Sequence, residues 1–258
     1  GLNANVASLL LDDTGSLFAG GGFLTAGAVK AHYLAKWNGA EWTALGTGLG
    51  LNDAVRSAVA DKNNNIFVGG DFTAVDGGRI RYIAKWDGNS WSGLGTGMDQ
   101  IVCAVAVDGS GNVYAGGSFT VAGGVPVNYV AKWNGSEWSA MGTGTNNPVS
   151  ALAVDKFDNV YAGGLFTAAG GVSAKYIAKW DGSGWTPLGT GLSSAANALA
   201  VDDAGSLYSG GSFTTAGGVP ANYIAKWNGS EWMPLGTGTN GTVYTLATDN
   251  LGNLYAGG

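Results

Sequence analysis

The sequence predicts an all-β protein, a β-propeller of four-stranded antiparallel blades with five complete blades and a two-stranded half blade. Three observations predict it. The tripeptide Ala-Lys-Trp ends at Trp37, Trp86, Trp133, Trp180 and Trp227, with spacings of 49, 47, 47 and 47 residues. A second tryptophan follows each by five residues, at Trp42, Trp91, Trp138, Trp185 and Trp232. An Asp closes an apolar run at Asp12, Asp61, Asp108, Asp155, Asp202 and Asp249, so the first half of the unit occurs six times and the second half five. Self-similarity at a period of about 40–50 residues, four short strands to the unit, is the mark of propeller blades. The expected organisation is a single domain over 1–258, with repeats at about 1–49, 50–96, 97–143, 144–190 and 191–237 and a half repeat at 238–258.

Each unit reads as strands A to D in order. In the third repeat strand A is 102–107, strand B 112–117, strand C 129–133 and strand D 137–141. These runs are short, β-branched or aromatic, and bounded by Gly, Asn and Asp. No window carries the 3.6-residue period of a helix. Strand A is rich in Ala and Val, which suits a crowded channel-lining position. The tryptophans fall on the outer strands, where they are expected to fill the gaps between blades.

The C–D connections are Asn38-Gly39, Asp87-Gly88, Asn134-Gly135, Asp181-Gly182 and Asn228-Gly229. Such dipeptides signal two-residue type I′ hairpins, which need positive φ twice. That turn predicts pairing of Trp37 with Ala40, Lys36 with Glu41 and Ala35 with Trp42. Both tryptophans then share one face, and the Lys–Glu pair the other. Lys132–Glu137 and Lys226–Glu231 repeat the pairing, whereas Lys85 and Lys179 face Ser90 and Gly184. The Asp of each A–B turn is read as a cap on its own backbone, since the turn lacks the acidic ladder of an EF-hand calcium loop.

Loop length separates the two ends of the blades. The A–B and C–D turns are short and share one end. The B–C loops (119–128) and D–A loops (142–148) are longer and share the other, where binding residues are expected to concentrate. The residue before the strand C tyrosine varies: His32, Arg81, Asn128, Lys175, Asn222. Arg81, Asn128 and Asn222, with Tyr82, Tyr129 and Tyr223, are therefore the candidate ligand-binding residues. The main departures from the repeat are the Gly50-Leu51 insertion, Asp76, Arg79 and Arg81.

Composition narrows the function. The 258 residues include 47 Gly, more than twice the average usage of about 7%, yet 11% are aromatic, which argues for order. The net charge of −6 disfavours nucleic acid and anionic membranes as partners. No apolar run reaches 18 residues, so no membrane-spanning helix is expected. Cys103 is the only cysteine, which excludes an intrachain disulfide, and it reads as a small buried hydrophobe. Gly1 is not a natural start, so an upstream segment is expected. Sequons occur at Asn134, Asn228 and Asn240.

The segment apolar run–Asp–x–x–Gly–Asn–x–Tyr resembles NHL-type blades. The fuller unit, residues 207–218 followed by Ile-Ala-Lys-Trp-Asn-Gly (224–229) and Leu-Gly-Thr-Gly (235–238), resembles repeat arrays of large secreted bacterial proteins. It is also similar to repeats of fungal cortical marker proteins. The resemblance covers essentially the whole chain and implies a propeller on an exported surface protein. Tachylectin-type five-bladed lectins match only in blade length, so no sugar-binding residues carry over.

Three functions compete. An extracellular interaction or scaffold module, part of a larger exported protein and taking a protein or glycan at the long-loop end, fits best. A lectin-like carbohydrate binder is the alternative. An enzyme fits least: no nucleophile stands beside a base at a recognisable motif, His32 has no second histidine to share a metal, and most acids fall once per repeat at turns. No catalytic residue, metal or cofactor is expected. The final A–B pair, 243–258, is expected to pack on the fifth blade as a half-filled sixth ring position. A closed five-bladed ring is the rival, and the incomplete blade offers a route to self-association.

Overall fold

The computed structural model describes residues 1–46, 49–249 and 251–258. Gly48, which bounds the inserted loop, lies outside the described residues. The fold class is the expected one: propeller-type blades of four antiparallel strands, with no helix among the described residues. The first sheet is Val6–Leu11, Leu17–Gly21, Leu34–Trp37 and Trp42–Ala44, hydrogen-bonded in chain order. The second is Val55–Ala60, Ile66–Gly70, Ile83–Trp86 and Trp91–Gly93. Three more sheets repeat this order, and Thr245–Thr248 with Leu254–Gly257 forms a two-stranded sheet.

The chain divides into two compact units. The first comprises Gly1–Ala115, Phe119–Pro126 and Lys132–Ser139. The second comprises Gly116–Ser118, Val127–Ala131 and Ala140–Gly258. In the first unit, strands A of successive sheets pack side by side. Ser8 Oγ accepts the Ala58 amide and Ser57 Oγ the Val105 amide, each at 3.0 Å. In the second unit the terminal hairpin packs on the fifth sheet, as expected. Val243 sits against Gly210, and Thr248 Oγ1 donates to the Val201 carbonyl at 3.2 Å. A two-stranded hairpin is at best marginally stable alone in water, so this packing is what orders it.

The C–D hairpin differs from the expected register. Trp37 pairs with Trp42, Lys36 with Thr43 and Ala35 with Ala44. Trp86–Trp91, Trp180–Trp185 and Trp227–Trp232 pair likewise. The cause is the Asn side chain. Asn38 Oδ1 accepts the amides of Ala40 and Glu41, both at 2.9 Å, and the turn closes between Asn38 N–H and the Glu41 carbonyl at 3.2 Å. Only Gly39 takes a positive φ there, whereas type I′ needs two. Asp87, Asn134, Asp181 and Asn228 make the same pair of bonds. The side-chain parity survives, so the tryptophans still share a face, with ring centroids 5.3–5.5 Å apart in all five repeats. The Lys–Glu pair does not form at Lys36. Its ammonium lies 5.1 Å from the Phe18 ring centroid and 3.7 Å from Asp12.

The tryptophans join neighbouring sheets, as expected. Trp138 Nε1 donates to the Leu94 carbonyl at 2.9 Å, Trp185 Nε1 to Met141 at 2.7 Å and Trp232 Nε1 to Leu188 at 2.9 Å. The largest fully buried side chains, however, are Phe23, Phe72, Phe119, Phe166 and Phe213, one per repeat at the start of the B–C loop. Residues read as loop thus carry the centre of the core. The B–C loops also hold their own structure. Thr25–Ala26 pairs with Val29–Lys30, and Val121–Ala122, Ala168–Ala169 and Thr215–Ala216 pair likewise with short partners.

The Asp of the A–B turn does cap its own backbone. Asp108 Oδ1 accepts the amides of Ser110 and Asn112, and Oδ2 accepts from Asn112 Nδ2 at 2.7 Å and Tyr114 Oη at 2.9 Å. Burial alone raises its pKa, but these bonds outweigh it and hold the carboxyl below its ordinary 3.8. The partner tyrosine of the fourth repeat moves the other way. Burial, and then the charge of Asp155, push the Tyr161 hydroxyl up to about 12. The signs give two edges. A carboxyl lowered on folding stabilises above its unfolded pKa, and that stability is lost as pH falls below about 4. A tyrosine raised on folding stabilises below about 10, and that stability is lost between about pH 10 and 12. Urea titrations at pH 8 and 11.5 check the second edge: Tyr161→Phe should be the less stable protein at pH 8 and lose less on going to pH 11.5. An equal loss in both proteins contradicts the assignment.

Candidate functional site

Two clefts lie within the first unit, one at each end of its sheets. The first has a volume of about 480 Å³ and is lined by A–B and C–D turn residues, among them Asp61, Asn63, Asp108, Trp133 and Asn134. The second, of about 490 Å³, is lined by B–C and D–A loop residues, among them Arg79, Arg81, Thr96, Asp99 and Gly124. The separation of short turns from long loops expected from the sequence therefore holds in this unit.

The long-loop end is tied together repeat by repeat. A polar residue in the D–A loop accepts two consecutive amides of the following B–C loop. Asn52 Oδ1 accepts those of Thr73 and Ala74 at 2.8 and 2.9 Å. Asp99 Oδ1 accepts those of Thr120 and Val121, both at 2.9 Å, while its Oδ2 takes the Thr120 hydroxyl at 2.9 Å. Asn146 and Ser193 do the same in the second unit. Burial raises the pKa of Asp99, but the hydrogen bonds prevail and keep it an anion.

The strand C tyrosines are backbone clamps. Tyr33, Tyr82, Tyr129, Tyr176 and Tyr223 all take φ between 65° and 74°, the left-handed region that non-glycine residues rarely enter. Tyr82 N–H donates to the Phe72 carbonyl at 2.8 Å, and the Tyr82 carbonyl accepts the Gly70 amide at 3.0 Å. Five repetitions of a strained conformation make it a device of the fold. It turns the chain from the B–C loop into strand C, which begins at Val130 and not Tyr129 in the third repeat.

The candidate residues before these tyrosines have different uses. Asn128 and Asn222 are exposed, and their amides close the D–A loop, donating to the carbonyls of Thr143 and Thr237 at 2.9 and 3.0 Å. Tyr129 and Tyr223 lie beside them, half-buried. Arg81, with Tyr82 next to it in the chain, is a different case. It lines the long-loop cleft with Arg79, a residue the sequence marks only as a departure from the repeat. Repeat two is also the most irregular. Asp76, at φ 46°, replaces the glycine of the other repeats, and its Oδ1 accepts the Gly50 amide at 2.8 Å, locking the inserted loop. The small hairpin there shrinks to a bridge between Val75 and Gly78.

Cys103 is half-buried, and burial pushes its thiol pKa up, only partly offset by Arg56. It therefore holds little thiolate near neutral pH.

No protein-family model matches the chain. No curated protein matches it in sequence. By structure 449 solved chains match, so the fold is widespread and says little of function by itself. One is the extracellular domain of what is proposed to be a one-component system from B. thetaiotaomicron. It matches with a TM-score of 0.54 and 11% identity, over 99% of this chain and 38% of that one. The chain thus spans well under half of that structure, and the likeness is one of fold.

Proposed function

We propose that the chain is a non-catalytic binding module of an extracellular or cell-surface protein, taking its ligand at the Arg79–Arg81 cleft. The observation that carries this reading is the break in the repeat. Repeats three and five close the loop end with an asparagine amide, Asn128 and Asn222, while repeat two places two arginines on a cleft. Sites for unlike groups require such asymmetry, which a perfect repeat does not offer. The extracellular origin of the similar structure and the absence, among the described residues, of a helix long and apolar enough to cross a membrane agree with it. The turn aspartates, whose oxygens serve their own loops, agree with a non-catalytic role.

Ligand-observed NMR of the purified chain against peptides, organic acids and oligosaccharides tests the proposal. Hits should weaken on Arg81→Gln and should not turn over. A defined turnover abolished by one substitution sinks it. A second reading, carbohydrate binding at the short-turn cleft, is favoured by one observation. Half-buried Trp133 lines it together with Asn63, Asn65 and Asn134, residue types that suit sugars. Oligosaccharide hits lost in Trp133→Ala, and kept in Arg81→Gln, would select that reading.

A further inference from the structure

The chain has three arginines, and the structure uses them differently. Arg56 is paired: its guanidinium meets Asp71 through Nε at 2.7 Å and Nη2 at 3.0 Å. Arg79 and Arg81 have no ion-pair partner among the described residues. The one carboxylate of their cleft, Asp99, is turned to the following B–C loop, where Oδ1 accepts the Thr120 and Val121 amides and Oδ2 the Thr120 hydroxyl. It forms no ion pair with either guanidinium.

The other repeats fill these positions differently. At the position of Arg81, Asn128 and Asn222 reach a threonine carbonyl fifteen residues on and seal the loop. The matching residue in repeat two is Thr96, which lines the cleft. Arg81 makes no such side-chain bond, although its carbonyl still accepts the Met98 amide at 3.3 Å, so its guanidinium is not spent on the loop. At the position of Arg79 the third and fifth repeats have Pro126 and Pro220. Gly124, at φ 88°, adds bare backbone to the wall, and a Cβ there would meet nothing within 4 Å. The lining contains no aromatic ring, so it offers no platform for a neutral sugar. In a chain of net charge −6, a cleft with two arginines and one engaged carboxylate is a local exception.

Guanidinium groups present planar forks that match carboxylates bidentately. Resting on the binding-module reading, we infer that the cleft takes a small polycarboxylate, one carboxylate to each arginine. A volume of about 490 Å³ is ample for a molecule of citrate size.

Calorimetric titration of the full chain with citrate, and with glycerol as the neutral control, tests this. Citrate should bind saturably and glycerol not at all. Arg79→Gln and Arg81→Gln should each weaken citrate about tenfold. Arg81→Lys, which keeps the charge but loses the fork, should weaken it at least several-fold. Both positions are solvent-accessible, and matching unfolding curves confirm that each variant folds. Absence of citrate binding, full binding by the double Gln variant, or full binding by Arg81→Lys overturns the inference. The same titrations followed by amide NMR separate the two levels of the argument. If a neutral ligand from the screen shifts residues 79–81 and 95–99 while citrate does not, the charge class is wrong and the binding module stands. If no ligand shifts them, both fall.

Discussion

Replacing Phe166 with alanine should destabilise the second unit by about 3–5 kcal/mol, the range for removing a fully enclosed aromatic ring. Phe166 is 0% exposed, and so are its four counterparts. Its backbone is also pinned, because the Phe166 carbonyl accepts the Tyr176 amide at 2.8 Å and Tyr176 in turn holds Gly164. Neighbours fixed in this way cannot collapse into the void, which places the loss at the upper part of the range. Urea unfolding followed by tryptophan fluorescence measures it. The adjacent Leu165, 54% exposed, is the control, and Leu165→Ala should change stability by less than about 0.5 kcal/mol. A loss below about 1 kcal/mol for Phe166→Ala would mean that the phenylalanines are not the centre of the core.

Gly164→Ala should destabilise the same unit by about 3 kcal/mol, the upper end for overpacking. The reason lies in the pairing of strands A and B. Between Val149 and Ala151 the register slips, a bulge that places an extra residue at the start of strand A. The bulged backbone crosses directly over Gly164. A Cβ there would land on the Pro148 carbonyl oxygen, far inside van der Waals contact, and 3.0 Å from Val149 Cα. Both obstacles are backbone, so no rotamer change relieves them. Gly184, in an exposed turn with nothing within 4 Å of its Cβ position, is the control. Gly184→Ala should leave the unfolding midpoint unchanged, and equal effects at the two sites would contradict the geometry.

Much of this was legible in the sequence because a repeat repeats its physics. The tryptophan pair, the turn aspartate and the separation of short from long connections each recur five or six times, so one pattern served for all. The misreadings have specific causes. Asn-Gly signals a type I′ turn when the backbone decides, but here Asn38 captures two amides with its side chain and moves the closure by one residue on each strand. The phenylalanines were hidden in segments rich in Gly and Thr, where a lone aromatic has no periodicity to mark it as core. The left-handed tyrosines carry no sequence signal, since the conformation is imposed by hydrogen bonds at both of their ends. The candidate site was half visible. Arg81 stood out by its position before Tyr82, but only the fold places Arg79 beside it on one cleft and shows Asn128 and Asn222 employed as loop seals.

Hydrogen–deuterium exchange of the chain, alone and saturated with a hit from the ligand screen, tests the proposed function most directly. Binding at the long-loop cleft predicts slower exchange in residues 79–81, 95–99 and 121–124, with the strands between unchanged. Protection confined to residues 61–65, 108–111 and 133–135 would place the ligand at the short-turn end and contradict the proposal.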